Sequence, residues 1–144
     1  MRVFFDTNVI VSALVARGLC ADLLRAVLAN HELIVGEVVL DEVRGVLSEK
    51  LGAPEELLLE LEDLLREHTV IPCPAEPCAV GVRDADDARV LASAVAGEAE
   101  VLVTGDRDLL EITAAVPIPI WTPRRLWEHL REAESPAPSG TRSP

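Results

Sequence analysis

The sequence predicts an α/β fold on a parallel sheet of about five strands. Two observations carry this reading. Short apolar and β-branched runs alternate with longer segments of helical period, the pattern of strands joined by covering helices. Two of the runs, "VFFD" at 3–6 and "VLVTGD" at 101–106, end abruptly on carboxylates. Open α/β sheets place ligand sites at the carboxyl ends of their strands. A length of 144 residues suits one domain.

The elements follow in order. Residues 2–6 are expected as a buried strand. In 19–29, Leu19, Leu23, Leu24, Val27 and Leu28 recur at helical spacing. "ELIV" at 32–35 reads as the second strand, and 37–51 as a helix with Val39, Val43, Val46 and Leu47 on one stripe. Pro54 suits the start of the next helix, 54–68. "TVIP" at 69–72 is a third strand, followed by a Pro-rich loop containing Gly81. A helix is expected from about 86 to 96, a strand at 100–104 and a short helix at about 107–114. "IPIW" at 118–121 reads as an edge strand and "PRRLWEHLRE" at 123–132 as the last helix. From Glu134 the composition turns to Ser, Pro, Ala and Gly. Residues 1–133 are therefore expected as the folded domain and 134–144 as a disordered tail.

Right-handed parallel connections point every strand the same way. Asp6 and the Thr104–Asp106 stretch then share one rim of the sheet. Helical phase adds two carboxylates. Glu42 lies three after Val39 and four before Val46, on or beside the buried stripe, whereas Glu37, Asp41 and Arg44 form a polar face. Asp87 heads the stripe of Val90, Leu91 and Ala94, while Asp86 aligns with Arg89 and Ser93 on a solvent side. Each acid also has a purely structural reading. Asp6 fits a strand-end turn, Glu42 an arginine pair, Asp87 a first-turn helix acid, and Asp106 the N-cap of its short helix. Asp84 fits a cap better than a ligand, and Asp108 fits either role. Four carboxylates aimed at one rim repel each other, however, and a hard divalent cation resolves that.

Composition narrows the function. The net charge of −12 argues against a broad electrostatic footprint for nucleic acid, but suits a carboxylate cation site. Lys50 is the only lysine. No apolar run approaches the length of about 18 residues that suggests a membrane span, and Arg2 alone makes no signal-peptide n-region; the cytoplasm is the expected location. Cys20, Cys73 and Cys78 fit no disulfide framework, and "CPAEPC" reads as a loop rather than a metal site. His31, His68 and His129 are scattered, with no nucleophile–base set.

Four features in this order and spacing, "FFDTNVIVSAL", Glu42 in its helix, "DDARVLASA" and "LVTGDRDLL", resemble a PIN domain over about residues 1–125. More narrowly, they resemble the PIN toxins of prokaryotic toxin–antitoxin systems. The resemblance implies a three-layer α/β/α sandwich around a central parallel sheet, and a ribonuclease dependent on Mg²⁺ or Mn²⁺. It implies that Asp6, Glu42, Asp87 and Asp106 are the catalytic metal ligands, that Asp108 is a further metal position and Asp84 a lower-ranked one. Asn8 and Thr104 match polar residues that orient such a site. Gly105 stands where many toxin members carry a basic residue. The implied partners are an RNA substrate and a cognate antitoxin, with a homodimer among the implied assemblies and no membrane. Arg17, Arg83, Arg89 and Arg107 are the candidate RNA contacts. Two alternatives stay open. One is a haloacid-dehalogenase-type phosphatase, which shares an aspartate after the first strand but has a second aspartate where Asn8 stands. The other is a non-catalytic PIN-like binding module.

Overall fold

The computed structural model describes residues 1–74 and 84–134. Five strands, β1 (Arg2–Phe5), β2 (Glu32–Gly36), β3 (Thr69–Ile71), β4 (Val101–Val103) and β5 (Ile120–Trp121), form one parallel sheet in the order β3-β2-β1-β4-β5. The helices are α1 (Thr7–Val15), α2 (Leu19–Asn30), α3 (Glu37–Gly45), α4 (Glu55–Arg66), α5 (Ala85–Ala96), α6 (Arg107–Glu111) and α7 (Pro123–Glu134). A π-helical turn, Val46–Lys50, prolongs α3. The expected five-stranded α/β/α sandwich is thus the observed one, with "IPIW" supplying an edge strand.

Consecutive residues of a strand point to opposite faces. Val3, Phe4 and Phe5, then Leu33, Ile34 and Val35, then Val101, Leu102 and Val103 are all buried. Both faces of the sheet are therefore covered, which is why these strands read as unbroken apolar runs. α5 lies over the face carrying Phe4 and Ile34, and two glycines permit the approach. A Cβ on Gly36 would sit 3.0 Å from the Phe4 ring, and one on Gly97 would sit 2.8 Å from side-chain carbons of Ile34 and Ile71. Gly97→Ala should therefore cost about 1–3 kcal/mol through overpacking, read as a lower denaturation midpoint; an unchanged midpoint would mean that α5 can shift freely.

Residues 7–15 carry no element in the sequence reading, yet they form α1. Thr7, Val9, Ile10 and Val11 favour strands. Here the Asp6 cap on Thr7 N–H and the burial of Val9 and Ile10 override that local preference. The helix expected over 37–51 changes pitch after Gly45. α7 includes Glu134, which the sequence reading gave to the tail. The loop with Gly81, Cys78 and the expected tail from residue 135 lie outside the described residues. Among the described residues, no helix is long and apolar enough to cross a membrane.

The chain proceeds from β1 to β2 to β3, then crosses to the other side of β1 to form β4 and β5. The direction of winding reverses between β1 and β4. Beyond their carboxyl ends lies the topological switch point, where open α/β sheets bind ligands.

Candidate active site

Asp6 follows β1 directly. Its N–H donates to Val103 O at 2.9 Å, the last ladder bond before the chain turns into α1. The side chain is only 5% exposed. Its Oδ1 accepts from Thr7 N–H and its Oδ2 from the Thr104 hydroxyl, both at 2.7 Å. Thr104, wholly buried at the end of β4, accepts in turn from Asp106 N–H at 2.9 Å. The Asn8 amide spans the same gap: Nδ2 donates to Asp6 at 3.4 Å, and Oδ1 accepts from Gly105 N–H at 3.1 Å. Asn8 and Thr104 thus tie the end of β1 to the end of β4.

Three helices bring the other acids. α1 packs on α3, and the Thr7 hydroxyl donates to Glu42 Oε1. Among the described residues Glu42 has no arginine partner. Asp84 caps α5, accepting from Asp86 N–H at 2.7 Å and Asp87 N–H at 3.3 Å. Asp87 is half-buried, while Asp86 is exposed and pairs with Arg89 at 3.2 Å. Ser93, expected on the solvent side with Asp86, is instead buried and donates to Arg89 O at 2.9 Å. Asp106 caps α6 through Oδ1, which accepts from Asp108 N–H at 2.9 Å. Capping and convergence are therefore not exclusive: Asp6, Asp84 and Asp106 each cap a helix that starts at the rim.

Asp87, Asp106 and Asp108 each offer a carboxylate oxygen, and these atoms lie within 4.8 Å of one another. Asp6 and Glu42 stand beside this group, linked through Thr7. The crowding shows in the protonation behaviour. Burial, then the charges of Asp106, Asp84 and Asp6 and a hydrogen bond with Asp106, push Asp87 up to about 7. Burial raises Asp6 too, against the hydrogen bonds from Thr104 and Thr7, and Asp106 adds to the rise. Glu42 is raised by burial and by Asp6, Asp86 and Asp84, against the Thr7 hydrogen bond. An all-oxygen, multiply charged donor set held this close fits a hard divalent cation.

The acids open into a cleft of about 630 Å³. Asp6, Glu42, Asp87 and Asp106 line it, with Asn8, Val11 and Ser12 of α1 and with Gly45, Val46, Glu49 and Lys50. Asp84 and Asp108 are not among the lining residues. Nor are Arg17, Arg89 and Arg107, three of the expected RNA contacts, and Arg89 is engaged by Asp86. Arg83 lies outside the described residues. Sequence reasoning missed Thr7 and Lys50. Thr7 could have been found as the hydroxyl directly following a strand-ending aspartate. Lys50 could have been found as one helical step beyond Glu42, Val46 and Glu49 on a single stripe.

A family model described as PIN domain matches residues 2–108. No curated protein matches the chain. Among solved structures, a chain of VapBC2 from Rickettsia felis, bound to a DNA fragment from its promoter, aligns with a TM-score of 0.59 at 17% identity, covering 85% of this chain and 98% of that one. The PIN domain endonuclease Utp24 aligns with a TM-score of 0.49 at 22% identity, covering 84% of each chain.

Proposed function

The chain belongs to the PIN domain family, and from that premise we propose that it is a metal-dependent endoribonuclease acting as the toxin of a toxin–antitoxin pair. The observation that carries the reading is the convergence at the switch point. Asp6, Glu42, Asp87 and Asp106 come from separate elements and line one cleft. Family membership speaks against the phosphatase alternative.

Asp87, Asp106 and Asp108 would hold the cation, with Asp6 and Glu42 completing the acidic wall. A divalent cation bound there supplies a Lewis acid and a water of lowered pKa for attack on phosphorus. The chain's own part is preorganisation. Thr104 and Thr7 fix Asp6, Thr7 fixes Glu42, and the backbone N–H of Asp108 fixes Asp106, so the oxygens need little rearrangement during reaction. Water adds to phosphorus and the bond to O3′ breaks, leaving a 5′-phosphate and a 3′-hydroxyl. The toxin assignment rests on the motif resemblance; a reading frame for a small DNA-binding protein beside this gene would support an antitoxin partner.

The test is cleavage of a labelled RNA with Mg²⁺ or Mn²⁺, and its loss in EDTA. Within the same assay, Asp87→Asn should lose at least about a hundredfold in rate, the scale of a lost transition-state electrostatic contact. Asp86→Asn, altering only an exposed ion pair, should stay within about threefold. Equal losses would place the reactive face of α5 elsewhere. Undiminished cutting in EDTA would refute the metal dependence, and no cutting of any RNA would favour a binding module.

A further inference from the structure

One wall of the cleft is a stripe that runs from α3 into the π-helical turn: Glu42, Gly45, Val46, Glu49 and Lys50 fall at i, i+3, i+4, i+7 and i+8 and all line it. Lys50 thus lies at most about 12 Å along the helix from Glu42, the distance at the α-helical rise of about 1.5 Å per residue, and the wider π-helical turn shortens it. It is the only basic side chain lining the cleft among the described residues. It is exposed and has no ion-pair partner there, although Glu49 adjoins it. Several arginines differ. Arg2, Arg25, Arg44, Arg66 and Arg89 are each held by a carboxylate.

Gly45 gives a second, independent indication. Its backbone is ordinary right-handed helix, φ −60° and ψ −45°, so the conformation does not demand glycine. Packing does not demand it either, because a Cβ there would meet nothing within 4 Å. What the glycine leaves is open room in the cleft lining, between Glu42 and Lys50 in the stripe. A cleft of about 630 Å³ has the volume of a small-ligand pocket, about 300–1,000 Å³, room for a nucleotide or two of a single strand.

We propose that Lys50 is the phosphate-binding residue of the cleft: its ammonium holds a phosphodiester flanking the scissile one, and the strand passes over Gly45 to reach it. This rests on the nuclease reading for the identity of the ligand. It also answers the charge problem, since a chain of net charge −12 needs a local cation to retain a polyanion beside four carboxylates.

The experiment compares wild type, Lys50→Gln, Lys50→Arg and Gly45→Leu on one single-stranded RNA oligonucleotide. Lys50→Gln should raise KM roughly tenfold, the scale of one lost charge-assisted hydrogen bond, and leave kcat within about twofold. The slope of log kcat/KM against log salt should flatten by about 0.7, one phosphate contact on a single strand. Lys50→Arg should restore both, and Gly45→Leu should raise KM with the salt slope intact. Binding of the same oligonucleotide is measured in Mg²⁺ on an Asp6→Asn background, with and without Lys50→Gln. If wild type never cuts RNA but binding still weakens with Lys50→Gln, the nuclease reading fails and the phosphate site stands. If cutting is robust and Lys50→Gln changes neither KM nor the salt slope, the Lys50 assignment is wrong and the nuclease reading stands. No cutting by wild type together with no saturable binding, with or without Lys50→Gln, overturns both.

Discussion

Asp6→Asn and Asp106→Asn should each reduce RNA cleavage by at least about a hundredfold, the scale of a lost electrostatic contact at a transition state. The choice of asparagine separates two roles that the structure assigns to the same atoms. Both residues cap helices, Asp6 through Thr7 N–H and Asp106 through Asp108 N–H. Asparagine caps about as well as aspartate, so both variants should fold. At Asp6 the Asn amide can also donate to the Thr104 hydroxyl oxygen that Asp6 now accepts from. What each substitution removes is the charge. If these acids were caps alone, both variants would keep near-wild-type rates in Mg²⁺ or Mn²⁺. A large loss of cutting with little loss of stability isolates the charge as the functional property.

The fold was legible because its strands are unusually plain. "VFFD" and "VLVT" are buried on both faces, so their apolar runs carry no competing helical signal. Asp6 and Asp106 were legible for the same reason, as charges ending such runs. Glu42 and Asp87 followed from helical phase, and both do line the cleft. α1 was hidden because Thr7, Val9, Ile10 and Val11 favour extended backbone locally, and only the cap and the burial of Val9 and Ile10 reverse that. Thr7 as the holder of Glu42 depends on how α1 packs on α3, which no local pattern records. Lys50 was legible in principle, on the stripe of Glu42, Val46 and Glu49 within the helix expected over 37–51, and that stripe does line the cleft.

The second large effect is on stability, and its sign is unusual. Asp87→Asn should stabilise the metal-free protein. Folded Asp87 keeps its proton up to about 7, whereas an unfolded aspartate loses it near 3.9. Between those values the folded state binds the extra proton. Metal-free stability should therefore be highest at the acid end of this window, fall as pH rises through it, and level off above about pH 7. Asp6 and Glu42, also raised, act in the same direction, so the variant keeps a shallower slope. The full displacement from 3.8 to about 7 corresponds to about 4 kcal/mol. Asp87 is only half-buried and water screens its neighbours, so about 1–2 kcal/mol is the expected gain. For a domain of this size that is about 3–8 °C in Tm.

Thermal melting of wild type and Asp87→Asn, in EDTA and across a titration of Mg²⁺ or Mn²⁺ at about pH 8, above the window in which Asp87 titrates, tests the central claim that these acids form one cation site. In EDTA the variant should melt higher, because one of the crowded charges at the rim is gone. Added metal binds the assembled site and not the unfolded chain, so wild-type Tm should climb with concentration, and the variant should respond much less. A structural role for Asp87 as a first-turn helix acid predicts the reverse sign, since removing a favourable charge from the helix N-terminus costs about 0.3–1 kcal/mol. If Asp87→Asn melts lower than wild type in EDTA and metal shifts both proteins equally, the acids are structural and the cation site does not exist.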